Sequence, residues 1–213
     1  MIKARIVLLF PYYSDFIFKD EANKDAFRLY MAYLVHCMST QNEKEAVLVP
    51  QATDALVNIF EDDDLQKRLS PFIVEVLERL ANQIPTIQSH QFFDIIFNIL
   101  RVYAPTIAQN NSLLINLLTL LVNRCVEEYE TRKDRQKSKL IVNKIWNSIR
   151  IVADKKEFIP AFLPDIEKAL VPLFSYLEKD IDIPFDEDIL LFVSTVMEKT
   201  KTVTPIIDRK STR

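Results

Sequence analysis

The residues that could do chemistry in this chain are few. Its two histidines are His36 and His90, and its two cysteines are Cys37 and Cys125. His36-Cys37 has no second pair at zinc spacing, which argues against a zinc site. His90 lies in the polar turn Gln88-Ser89-His90-Gln91 and reads as a helix-opening residue. No serine, cysteine or aspartate stands beside a histidine in a nucleophile motif. The 213 residues include no glycine, so the loops that cradle phosphates in P-loop and dinucleotide sites cannot form. The residues therefore predict no enzyme, no metal and no cofactor.

Two groups of carboxylates remain. The first is Glu61, Asp62, Asp63 and Asp64; the second is Asp180, Asp182, Asp186, Glu187 and Asp188. Calcium takes oxygen ligands, but Glu61 to Asp64 lacks the glycine and the spacing of a calcium loop. The simpler reading is a solvated loop placed before a helix, where the dipole favours negative charge. Asp186 then suits a helix cap. The sharper reading is a partner surface for basic segments. Arg132, Lys133, Arg135, Lys137 and Lys139 form a basic cluster, but Glu127, Glu128, Glu130 and Asp134 lie among them and largely cancel its field. Only Tyr129 is available there to stack on a base, so the stretch reads as a linker rather than a nucleic-acid contact. The net charge of −3 points the same way.

The elements that position these residues are helical. An apolar fraction of 49% with 27% charged residues is enough for a core and excludes a disordered chain. No apolar run reaches the eighteen residues of a membrane span. The N-terminal run Ile6 to Phe10 is short and lacks a small-residue cleavage site, so Met1 to Asp15 reads as a helix kinked at Pro11. Asn23 to Met38 follows, with Ala26, Leu29, Tyr30, Tyr33, Leu34 and Cys37 in register. Val49 to Phe60 buries Ala52, Ala55, Leu56 and Ile59. The run from Asp63 to Glu128 holds three helices. Leu65 to Ala81 is closed by Ile84-Pro85, Gln91 to Tyr103 is closed by Ala104-Pro105, and Ser112 to Glu128 is apolar nearly all round. Glu127 to Lys139 is predicted to be a helix end and an exposed linker. Leu140 to Ala153 places Trp146 on its apolar stripe. A turn at Phe158 to Leu163, a helix over Asp165 to Glu178 and an acidic loop at Asp180 to Asp188 come next. Ile189 to Lys199 is the last full helix. Cys37 and Cys125 both fall on apolar faces, which suits buried free thiols in a reducing compartment.

These helices have a period. The first helix of each pair begins near Lys3, Val49, Gln91, Leu140 and Asp188, and Val102-Tyr-Ala-Pro105 recurs as Thr202-Val-Thr-Pro205. Steps of about 42 to 49 residues are those of HEAT or armadillo repeats. The predicted fold is all-α, an α-α superhelix of about five helical pairs with the last incomplete. It forms one array over 1–213, with repeats at roughly 1–45, 46–88, 89–136, 137–184 and 185–213. Neither end carries the polar outer face of a capping repeat, which predicts a piece of a longer array or a shortened gene product.

Three stretches resemble a known family. They are Ile2-Lys-Ala-Arg5 with Asp15-Phe16 and Phe18-Lys-Asp20; Pro50-Gln-Ala-Thr-Asp-Ala-Leu-Val57 with Leu69-Ser-Pro-Phe-Ile-Val-Glu-Val-Leu77; and Trp146 to Pro205, with Ile149-Arg-Ile-Val152 before the turn. Together they resemble the importin-β (karyopherin-β) nuclear transport receptors, and within them the importin seven and eight subgroup, from the middle to later part of the arch. The resemblance implies a right-handed superhelix that shuttles between cytoplasm and nucleus through the nuclear pore. Such a receptor carries protein cargo with basic segments on its inner face and contacts phenylalanine–glycine nucleoporins through outer apolar slots. It releases cargo to the GTP form of the small GTPase Ran, whose principal binding repeats have no match in this chain. The subgroup's acidic insertion is replaced here by Thr131-Arg-Lys-Asp-Arg-Gln-Lys-Ser-Lys139, so a cargo role resting on that insertion does not carry over. The alternative class is a HEAT scaffold subunit of a phosphatase, kinase or trafficking assembly. A helical enzyme would need a deep polar pocket near His36 or His90.

Overall fold

The computed structural model of the chain describes residues 7, 13, 23–38, 48–87, 89–131, 135–158, 168–173 and 186–201. Among these, nine α-helices and one 3-10 turn are delimited and no strand occurs. The chain divides into two compact units, residues 1–99 and 100–213.

In the first unit, α1 (Lys24–Met38) packs on α2 (Leu48–Glu61). The buried stripe of α1 is rotated from the one the sequence suggests. Ala26 and Leu29 are exposed, Leu29 by 71%, while Phe27, Tyr30, Met31, Leu34, Val35, Cys37 and Met38 are buried. Both stripes obey three-four spacing, and the one with the larger side chains removes more apolar area from water. The Tyr30 hydroxyl donates to the Val7 carbonyl at 3.2 Å, and burial pushes its pKa upward.

A sharp corner joins α2 to α3 (Asp63–Leu69) without a glycine. Asp62 sits in extended geometry and caps α3, its Oδ1 accepting from the Asp64 and Leu65 amides at 2.9 and 3.0 Å. Gln66 reaches back, its Nε2 donating to the Phe60 carbonyl at 2.5 Å near the end of α2. One residue thus serves the orphan donors of one helix and another serves an orphan carbonyl of its neighbour.

The single helix expected over Leu65 to Ala81 is two helices. A 3-10 turn at Ser70–Phe72 separates α3 from α4 (Ile73–Ala81). Pro71 is the cause: it has no N–H to give and its ring clashes with the carbonyl four residues back. The apolar stripe survives the break, with Leu69, Ile73, Val76, Leu77 and Leu80 all buried. The helix ends at Ala81, the bound the sequence suggests, and turns carry the chain on to Ile87. Next to α4 lies α1, where Arg28 stands over the Phe72 ring at 5.7 Å and pairs with Glu75 at 3.7 Å. Arg28 is in the N-terminal half of α1 and Glu75 in the first turn of α4. These helices therefore lie side by side with like ends together, through residues 47 apart in the chain. The helix α5 (His90–Val102) follows and crosses the boundary of the two units.

Ala104-Pro105 stands just past the end of α5 at Val102, as a closing pair should, and in the second unit it also opens a helix. Pro105 sits in the first turn of α6 (Ala104–Ile107), where its missing N–H is not needed. Asn110 then caps α7 (Asn111–Thr131), its Oδ1 accepting from the Leu113 amide at 3.2 Å. The helix α7 packs on α8 (Arg135–Asp154), and α8 packs on α9 (Asp186–Thr200). The exposed linker expected over Glu127 to Lys139 is therefore corrected. All of that interval except 132–134, which lies outside the described residues, belongs to α7 or α8. Its Glu, Lys, Arg and Gln residues are good helix formers and continue both elements. Residues 168–173 are helical through Pro172. The segments expected at 159–167 and 174–185, the N-terminal helix apart from Val7 and Tyr13, and the tail from Thr202 lie outside the described residues, while Asp186 to Asp188, expected in the acidic loop, open α9 instead.

The last turn of α9 meets the last turn of α8. Lys199 Nζ donates to the Ala153 and Asp154 carbonyls at 2.9 and 2.6 Å, across 46 and 45 residues of chain. Like ends again come together. The residue after α9 is Lys201, whose φ of 54° is the one positive φ among the described residues; its amide donates to the Met197 carbonyl at 2.9 Å. A β-carbon is strained there and glycine is not. Lys201→Gly is expected to raise the unfolding free energy by about 0.5 kcal/mol, read by chemical denaturation.

Candidate functional site

The first acidic group is a capping device with an exposed rim. Asp62 is spent on α3. Asp63 and Asp64 lie exposed in its first turn, and Lys67 Nζ holds Asp64 Oδ1 at 3.2 Å. Glu61 is the last residue of α2. Of the second group, Asp180 and Asp182 lie outside the described residues. Asp186 is the first residue of α9, Glu187 is exposed and Asp188 is half-buried. Asp188 turns toward the core, near enough to the Cys125 thiol to raise its pKa. Among the described side chains of the two runs, Asp63, Asp64 and Glu187 are the exposed ones.

His36 is exposed in the last turn of α1, and His90 is the half-buried first residue of α5. No set of three His, Cys, Asp or Glu among the described residues could hold a metal ion. No helix among them is long and apolar enough to cross a membrane. Of the basic cluster, Arg132 and Lys133 lie outside the described residues, Arg135 and Lys137 open α8, and Lys139 is exposed.

Two arrangements escaped the sequence. In the first unit, a cleft between α1 and α4 has a floor of Met31, Val35 and Val76 and walls of Arg28, Phe72 and Arg79. Glu75 lies between the two guanidiniums, 2.9 Å from Arg79 and 3.7 Å from Arg28. All three side chains are more than two-fifths exposed, so each pair adds less than about 1 kcal/mol. The volume of about 10 Å³ takes roughly one water. That is a packing seam, not a substrate pocket. The Arg79 partner was legible as a four-residue step, but the Arg28 partner is visible only once helices 47 residues apart are known to be neighbours.

In the second unit, α7 buries a charge pair. Arg124 Nη2 lies 2.6 Å from Glu128 Oε1, and the side chains are 4% and 0% exposed. Glu127 adds a second oxygen at 3.0 Å from the outside. Beside it, Cys125 is a free buried thiol and Trp146 on α8 is 1% exposed, as a core reading requires. Burial pushes the Cys125 thiol far above its ordinary value of 9.0; the Trp146 hydrogen bond pulls it down, and Asp188 and Glu128 push it up. A thiol so held stays protonated and unreactive. Cys37 is likewise buried and makes no disulfide.

The chain matches no protein-family model, no curated protein and no solved structure. What the geometry offers is therefore read from the chain itself: packed helices with charged corners.

The buried pair makes a sharp prediction. Removing one partner strands a charge, whereas removing both leaves apolar packing. Arg124→Met, which takes this cation from the fully buried Glu128 carboxylate, is expected to cost about 3 kcal/mol or more in denaturant titrations, and Arg124→Met with Glu128→Leu to cost much less than that single change. Equal losses in the single and double variants would mean that the pair is not coupled.

Proposed function

We propose that the chain is a segment of a nuclear transport receptor of the importin-β kind, an α-solenoid of about five helix pairs that binds basic protein cargo and phenylalanine–glycine nucleoporins. The observation that carries this reading is the side-by-side packing of helices about 46 residues apart. It recurs independently in the two units, through Arg28 with Glu75 and through Lys199 with Asp154, each time with like ends together. Stacked two-helix repeats of that length bring each first or second helix beside its counterpart in the next repeat. The resemblance carried by Pro50 to Val57 and Leu69 to Leu77 falls on α2 to α4, elements that take part in this packing. Repeats contact only their neighbours and leave long faces for partners. Exposed Asp63, Asp64 and Glu187 give those faces the charge that speeds capture of basic cargo.

A pull-down from cell extract with the purified chain, with and without Ran loaded with a non-hydrolysable GTP analogue, tests the proposal. The expected eluate holds nucleoporins and basic proteins, the latter weakened by added salt. Their loss on adding Ran would extend the reading to the GTPase switch. Absence of both classes, with a stable enzyme subunit in their place, would move the chain to the scaffold class of helical-repeat proteins.

A further inference from the structure

The last carbonyls of a helix have no donors within it and carry partial negative charge. At the end of α8 the Lys155 amide still serves the Ile151 carbonyl at 3.0 Å. The carbonyls of Ala153 and Asp154 are served from another helix, by one ammonium. Lys199 Nζ stands 2.9 and 2.6 Å from them and 3.8 Å from the Asp154 carboxylate. The buried apolar residues of α9 are Ile189, Phe192 and Val196, so its apolar seam stops a turn before this contact. The side chains of Lys199 and Asp154 are 36% and 56% exposed, which leaves the contact open to salt.

We propose that Lys199 is an electrostatic latch between the C-terminal ends of α8 and α9. With the ammonium seated on the α8 terminus, the two ends are held together. With it withdrawn, the ends part while the apolar residues from Ile189 to Val196 keep the rest of α9 in place. The pair then works as a hinge whose opening is set by one charge. The two states differ by charge-assisted hydrogen bonds and a helix-terminus interaction, both weakened by ions in solution. The latch depends on α8 and α9 alone and holds whichever partner the chain binds.

Amide hydrogen exchange of the whole chain tests it at low and high salt, in the native protein, Lys199→Met and Lys199→Arg. The informative amides are those of Lys155 and Lys201, which follow the two helices and donate to carbonyls in their last turns. At low salt Lys199→Met is expected to speed their exchange about tenfold, while α7 keeps its native rates. High salt should speed the native protein toward that variant and leave the variant unchanged. Lys199→Arg, which keeps the charge, should stay near the native rates. Native rates in Lys199→Met, or equal acceleration through α7, would overturn the latch. An arginine variant that behaves like the methionine one would overturn charge as its basis.

Discussion

A helix in this chain cannot end on a glycine, because the chain has none. Helices commonly end by passing into the left-handed region at a glycine, which turns the chain and satisfies the last carbonyls. Here that work falls to side chains from neighbouring elements. Gln66 donates to the Phe60 carbonyl at the α2 corner, and Lys199 donates to two carbonyls at the end of α8. Only Lys201 takes the left-handed route among the described residues, with a side chain that suits it poorly. The ends of α2 and α8 are thus served by what lies beside them, whereas α4 and α6 end on local backbone bonds from Asn82 and Ala108.

The prolines share this burden. Pro71 converts one long helix into two joined by a 3-10 turn, and Pro105 opens a one-turn helix just past the end of α5. Neither break interrupts burial, since Leu69 and Ile73 flank the first and Tyr103, Ala104 and Ile107 are buried around the second. The chain changes direction at points where its apolar stripe can continue. In α7 the Arg124–Glu128 pair is withdrawn from water within one helix, so its geometry is set by local spacing while its burial comes from packing.

The helical class was legible from three-four spacing, and helix positions in α1, α2, α5, α7, α8 and α9 lie within a few residues of those the sequence suggests. Rotation was harder. In α1 two overlapping stripes satisfy the same spacing, and only the neighbouring α2 and α4 decide that Leu29 faces water and Phe27 does not. The interval after Glu127 misled because charge was read as exposure. Glu128 is fully buried because Arg124 lies one turn behind it, a step present in the sequence without any sign of depth. Of the acidic residues, Asp62 was legible as the kind of residue that caps a helix, whereas the inward turn of Asp188 depends on where α9 packs. The contacts of Arg28 and Lys199 join positions far apart in the chain, so no local pattern points to them.

The proposed function rests on one proposal about the fold, helix-pair units of about 45 residues that stack on like neighbours. Stretching a single chain in an optical trap tests it directly. Stacked repeats are stabilised by their neighbours and come apart unit by unit, so extensions should cluster at multiples of about 45 residues, close to 150 Å of freed chain each. One all-or-none extension spanning the whole folded chain would contradict the account.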